Sequence, residues 1–126
     1  MKVLSKLLLI ISASFLLFAC GGSSSTPETV AEKYFEAVKN VDFDGIRSCL
    51  TKAAVVEFDS GIASLSDEDI KLIKEQSAGG EEIKILRSEI NGDNAIVYFE
   101  QAHGDHSHEY PISLVKESGE WKIAGQ

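Results

Sequence analysis

The hydrophobic pattern changes period at Ala78-Gly79-Gly80, and that change constrains the layout of the chain more than any other feature. Before it, apolar residues recur at helical spacing; after it, they alternate as a strand requires. Two successive glycines after Lys74-Glu75-Gln76-Ser77 stop a helix, because glycine tolerates the left-handed conformation of a C-terminal cap. Helices first and antiparallel strands last predict an α+β domain, with N-terminal helices packed on one face of a curved four-stranded antiparallel sheet.

The helical half carries its own start signals. Thr26-Pro27-Glu28 places a hydroxyl at the N-cap, proline at the first helical position and an acid at the positive end of the dipole. The helix should run to about Asn40, with Val30, Tyr34 and Val38 at intervals of four, Ala31 and Phe35 beside them, and Glu32, Lys33, Glu36 and Lys39 outside. Asp42 caps a short helix through Leu50 that buries Phe43, Ile46, Cys49 and Leu50, and Gly45 weakens it. Thr51 to Phe58 continues as a short helical segment whose β-branched Val55-Val56 leaves its type open, and Asp59-Ser60-Gly61 loosens the chain. Ser66-Asp67-Glu68-Asp69 then starts another helix.

The strand half reads as a meander. Glu82 to Ile90 sets Ile83 and Ile85 on one face, and Asn91-Gly92-Asp93-Asn94 is a hairpin signal. From Ala95 to Ala102, Ile96 and Tyr98 alternate with Val97 and Phe99, which predicts burial on both faces. His103 to His108 is the next connection. Tyr110 to Lys116 aligns Tyr110, Ile112 and Leu114, and after a turn at Glu117-Ser118-Gly119-Glu120 the last strand joins Trp121 to Ile123.

Ahead of these elements, Lys2 and Lys6 precede an apolar run from Leu7 to Ala19, the anatomy of a secretory signal. As a helix that run reaches about 20 Å, short of the roughly 30 Å hydrocarbon core of a bilayer. Leu17-Phe18-Ala19-Cys20 resembles the lipobox of bacterial lipoproteins, in which the cysteine receives a diacylglyceryl thioether and cleavage falls before it. Phe18 is bulkier than the usual residue there; the alternative is an ordinary secretory leader with Cys20 as a thiol. The expected organisation is a signal peptide over residues 1–19, lipidated Cys20 with a flexible tether over 20–25, and one domain over 26–126. The expected location is the extracytoplasmic side of a bacterial envelope membrane, held through Cys20 by fatty-acyl chains such as palmitate, since two or three chains anchor firmly where one does not. Gly21 carries no retention signal, which leaves the leaflet open.

The net charge of −8, more negative once Lys2 and Lys6 are removed, repels phosphate backbones and argues against a nucleic-acid partner. With Cys20 lipidated, Cys49 has no partner and reads as a small buried hydrophobe.

The run Thr26-Pro27-Glu28-Thr29-Val30-Ala31-Glu32-Lys33-Tyr34-Phe35, then Val41-Asp42-Phe43-Asp44, then Pro111-Ile112-Ser113-Leu114-Val115-Lys116 leading into Gly119-Glu120-Trp121-Lys122-Ile123, is similar to small bacterial lipoprotein domains of unknown function. These resemble the nuclear transport factor 2-like, cystatin-like superfamily, some of whose relatives carry a provisional lumazine-binding label. The resemblance implies a cone-shaped fold whose sheet and helices enclose a pocket, for which Tyr34, Phe35, Tyr98 and Trp121 are the candidate lining.

All three histidines fall in His103-Gly104-Asp105-His106-Ser107-His108-Glu109. Imidazole and carboxylate are the ligands zinc, copper and nickel prefer, so His103, His106 and His108 are candidate metal ligands, although the spacing matches no established motif and a solvated or pH-responsive turn is the alternative. No catalytic constellation emerges: phosphate loop, nucleophile elbow and serine triad patterns are absent, and Glu100 is the nearest candidate general base. Asp67-Glu68-Asp69 lacks the spacing of a calcium loop. The expectation is a non-catalytic envelope module, needing no cofactor, that binds a small molecule or an envelope protein. The alternatives are a metal-binding protein using the histidine hairpin and, third, a cone-fold isomerase or hydrolase.

Exchanging Cys20 for serine removes the acylated sulfur. In membrane fractionation the Cys20→Ser chain is expected in the soluble fraction once its leader is cut, whereas equal retention with the unaltered chain would overturn the anchor.

Overall fold

The protein is described over residues 25–125 by a computed structural model. The signal peptide, Cys20 and the tether up to Ser24 lie outside the described residues. Four helices, α1 (Pro27–Lys39), α2 (Phe43–Cys49), α3 (Lys52–Ala63) and α4 (Asp67–Ser77), precede four strands, β1 (Ile83–Asn91), β2 (Asn94–His103), β3 (His106–Glu117) and β4 (Glu120–Gly125). The strands pair in chain order as one curved antiparallel meander; α1 lies across its inner face, and α2 and α3 reach β4. The expected α+β architecture is present.

Each helix begins where a capping side chain stands. Thr26 and Thr29 cap α1 reciprocally, with the Thr29 N–H donating to Thr26 Oγ1 at 3.2 Å and the Thr26 N–H to Thr29 Oγ1 at 2.9 Å. Ser66 and Asp69 do the same for α4, and the Ser66 backbone N–H, with its hydroxyl second, holds the Asp69 carboxyl below its ordinary range. At the end of α1, the Asp42 N–H reaches Ala37 O at 2.8 Å and the Val41 N–H reaches Val38 O at 3.1 Å, a Schellman closure. Val41 supplies its left-handed residue at φ 52°, a costly place for a β-branched side chain. Asp42 at once starts α2 by accepting from the Gly45 N–H at 3.0 Å. A Cβ on Gly45 would stand 2.4 Å from that carboxylate and 3.1 Å from the Ala37 Cβ, so the glycine that lowers helix propensity is what lets α2 close against α1.

The core lies between α1 and the inner sheet face. Ala31 is fully covered against Val97, Ile112, Leu114 and Ile123, with Val30, Cys49, Phe99 and Trp121 around them. The Thr51 N–H donates to Ile123 O at 3.0 Å, a short parallel bridge that ties the end of α2 to β4. α1 is further held by the Ser88 hydroxyl on β1, which donates to the Glu28 carboxylate; this bond, foremost among its causes, draws the Glu28 carboxyl below its ordinary value.

Three expectations are corrected. The segment after Thr51 remains helical to Ala63 and carries Gly61 inside it, because Thr51 caps it and nothing adjoins Gly61 to break it. β2 buries one face: Val97 and Phe99 are inside, while Ile96 is 37% exposed and Tyr98 turns outward, because helices cover the sheet on one side. The connection His103–His108 is a tight hairpin, with Gly104 at φ 59° in a two-residue turn, so His106, Ser107 and His108 are strand residues of β3.

Ile112→Ala removes three methylene-sized groups from a site with no exposure and is expected to lower unfolding free energy by about 3 kcal/mol in denaturant titration. Glu28, whose carboxyl is drawn down in the folded chain, contributes stability that is fully present above its ordinary unfolded value and is lost as pH falls through its lower folded value. The Ser88→Ala chain should therefore be less stable than the unaltered one near neutral pH, and the difference should shrink below about pH 4.5; a pH-independent difference would show that the bond is not to the charged carboxylate.

Candidate functional site

The inner sheet face continues past the core toward the β2–β3 hairpin, and there a row of rings crosses from helix to strand. Tyr34 meets Phe35 edge-on at 5.4 Å between centroids, Phe35 meets Phe99 at 4.6 Å, Phe99 meets Tyr110 at 5.7 Å, and Tyr110 meets His108 at 6.4 Å. Helical spacing puts Phe35 on the sheet-facing side of α1, and cross-strand pairing of Phe99 with Tyr110 completes the row.

The four residues expected to line one pocket do not share one. Phe35 and Tyr34 stand together at the core margin. Tyr98 is on the outer face of the sheet, with the Arg87 guanidinium 4.1 Å from its ring centre and its hydroxyl donating to Glu89 at 3.3 Å. Partial desolvation, with the Glu89 carboxylate beside it, pushes its phenol up. Trp121 belongs to a separate hollow of about 290 Å³ with Thr29, Val30 and Cys49, and the Lys116 ammonium is 5.2 Å from its ring. Strand alternation explains the separation: Tyr98 is one residue from both Val97 and Phe99, so it faces away from them.

The histidines are brought onto one face, since His103 pairs with His106 and Gln101 with His108 across the hairpin. They are nonetheless not gathered about a point: among the described residues no three His, Cys, Asp or Glu side chains stand close enough to hold a metal ion. His103 is engaged instead by Glu81, Nδ1 to Oε1 at 2.5 Å, and the Gln101 amide donates to the other oxygen of that carboxylate. Glu100 lies on the outer face, where it pairs with Lys84 and Glu109 across the strands.

Glu81 stands at the edge of the feature that the sequence did not reveal, a cleft of about 440 Å³ between the C-terminal half of α1 and the start of β1. Phe35, Val38, Ile83 and Ile85 form its apolar surface; Glu32, Glu36, Glu81 and Glu82 stand around it with Lys39 and Gln101, and Ser77 and Gly80 close one end. The alternation of Ile83 and Ile85 was a signal for part of this surface. Glu32 and Glu36 were not recognisable, because on a helix wheel they look like any solvated flank.

No known family profile matches the sequence, and no curated protein does. Among solved structures, one from Campylobacter jejuni, provisionally named an NTF2-like transpeptidase, is 19% identical and superimposes with a TM-score of 0.53 over 81% of this chain and 100% of its own. A de novo designed NTF2-fold protein, 15% identical, covers 80% of this chain and 83% of its own at a TM-score of 0.48. The Campylobacter likeness, together with four helices on a curved four-stranded sheet, makes the fold of this domain nuclear transport factor 2-like.

Proposed function

We propose that the protein is a lipid-anchored module of the bacterial cell envelope that holds a small ligand in the cleft between α1 and β1 without transforming it. The observation that carries this reading is the cleft itself: its volume of about 440 Å³ falls among those of small-molecule sites, and Phe35, Val38, Ile83 and Ile85 offer an apolar surface of the kind such sites use. Binding without turnover fits the carboxylates at the cleft: Glu32, Glu36, Glu81 and Glu82 are all exposed, and burial is what tunes a general base toward neutral pH. The transpeptidase name of the Campylobacter structure is not carried over, since a likeness at 19% identity shows the fold alone.

The anchor reading rests on Lys2, Lys6, the apolar run and Cys20. A tether attached at Cys20 would enter the domain at the N-terminal end of α1, whereas the cleft is lined from Glu32 to Lys39 at the other end. That arrangement would direct the opening away from the bilayer. The metal alternative loses ground to the engagement of His103 by Glu81.

Ile83→Trp fills the cleft from its β1 side. A screen of small apolar molecules by thermal shift is expected to raise the melting temperature of the unaltered chain and to leave that of Ile83→Trp unmoved, since only a ligand bound to the folded state stabilises it. Equal shifts in both chains would remove the cleft from the function.

A further inference from the structure

We infer that the ligand of this cleft is an amphipathic cation, an apolar body of aromatic or alicyclic size carrying an ammonium group. The inference rests on the cleft reading above and specifies its chemistry. Around the apolar surface stand four carboxylates against one cation, Lys39. Glu32 and Glu36 are four residues apart and therefore neighbours on α1, and Glu81 and Glu82 face them from the stretch that enters β1.

Three of the four carry uncompensated charge. Among the described residues, Glu32, Glu36 and Glu82 form no ion pair, and Lys39 forms none with them. A bound cation would supply to Glu32, Glu36 and Glu82 the opposite charge that no ion pair among the described residues supplies. Glu81 differs, because Gln101 and His103 both hold its carboxylate, so that it is fixed in place where the others are free to turn toward a guest.

The two halves of the ligand are thus assigned to different walls. The body lies on Phe35, Val38, Ile83 and Ile85, where burial of apolar area supplies affinity, and the ammonium lies at the glutamate edge, which sets its sign. A free metal ion would leave the apolar wall wet, and a carboxylate ligand of the same shape would meet four like charges. The chain's net charge of −8 acts in the same direction at longer range.

The test uses three molecules with one body and three charges: naphthylethylamine, cationic at neutral pH; naphthylethanol, neutral; and naphthylacetate, anionic. Calorimetric titration of the full chain at low salt is expected to rank amine above alcohol above acetate, with about tenfold between amine and alcohol, the sum of a few exposed charge contacts. Added salt should narrow that gap. Glu32→Gln, Glu36→Gln and Glu82→Gln together should abolish the preference while leaving the alcohol's affinity in place. Acetate binding as tightly as amine, or an amine preference undiminished in the triple substitution, would overturn the inference. If amine and alcohol bind equally and Ile83→Trp abolishes both, the cleft stands as the site and the cation is wrong; if none of the three binds, both fall.

Discussion

The close seating of α1 on the inner face of the sheet is the contact on which the rest of this structure depends. Ala31, fully buried in the core cluster with Val97, Ile112, Leu114 and Ile123, makes it possible, because a methyl group is all it places between the helix backbone and that cluster. With that contact made, Val30 and Phe35 fall to either side, and the helix presents one end to β4 and the other to β1. A larger residue at position 31 would lift the helix and separate all of these at once. The bond from Ser88 to Glu28 and the Schellman closure into Asp42 then fix its tilt and its exit.

That seating also creates the cleft. A helix laid across a curved sheet touches it along one line, and the strands fall away on both sides of that line. Near β4, α2 and the Leu50–Ile123 bridge fill much of the space. Near β1 no helix is packed as deeply: α4 has no buried residue and contributes Ser77 at one end of the cleft. β1 is the edge of the sheet and shifts register between Ile85 and Arg87, which bends the strand beside the opening. The space between α1 and β1 thus lies where α1 meets the strand with no deeply packed second helix beside it.

Much of the architecture was legible without coordinates. The caps at Thr26, Asp42 and Ser66 and the turns at Gly92 and Gly119 act within a few residues of themselves, and such local chemistry survives into the fold unchanged; α4 does end before Gly79-Gly80, but neither glycine takes the left-handed conformation expected of it. The misreadings came where a non-local contact decides. Gly45 looked like a flaw in a helix and is a point of close approach; Ile96 and Tyr98 looked like core residues and instead lie on the outer face, Ile96 exposed and Tyr98 half-buried, because an apolar run in a strand does not say whether helices cover one face of the sheet or two.

The sequence alone determined the order of elements and the acidic charge, and the apolar run and Cys20 on which the proposed anchor rests are likewise written in neighbouring residues. Only the tertiary structure decided which side chains meet. Strand register placed Tyr98 behind the sheet and Phe99 within it, and turned His103 toward Glu81 and away from a common centre with His106 and His108. The same packing of helix on strand brought Glu32 and Glu36 opposite Glu81 and Glu82, residues some forty-five positions apart in the chain, around an apolar wall that no local pattern could have assembled.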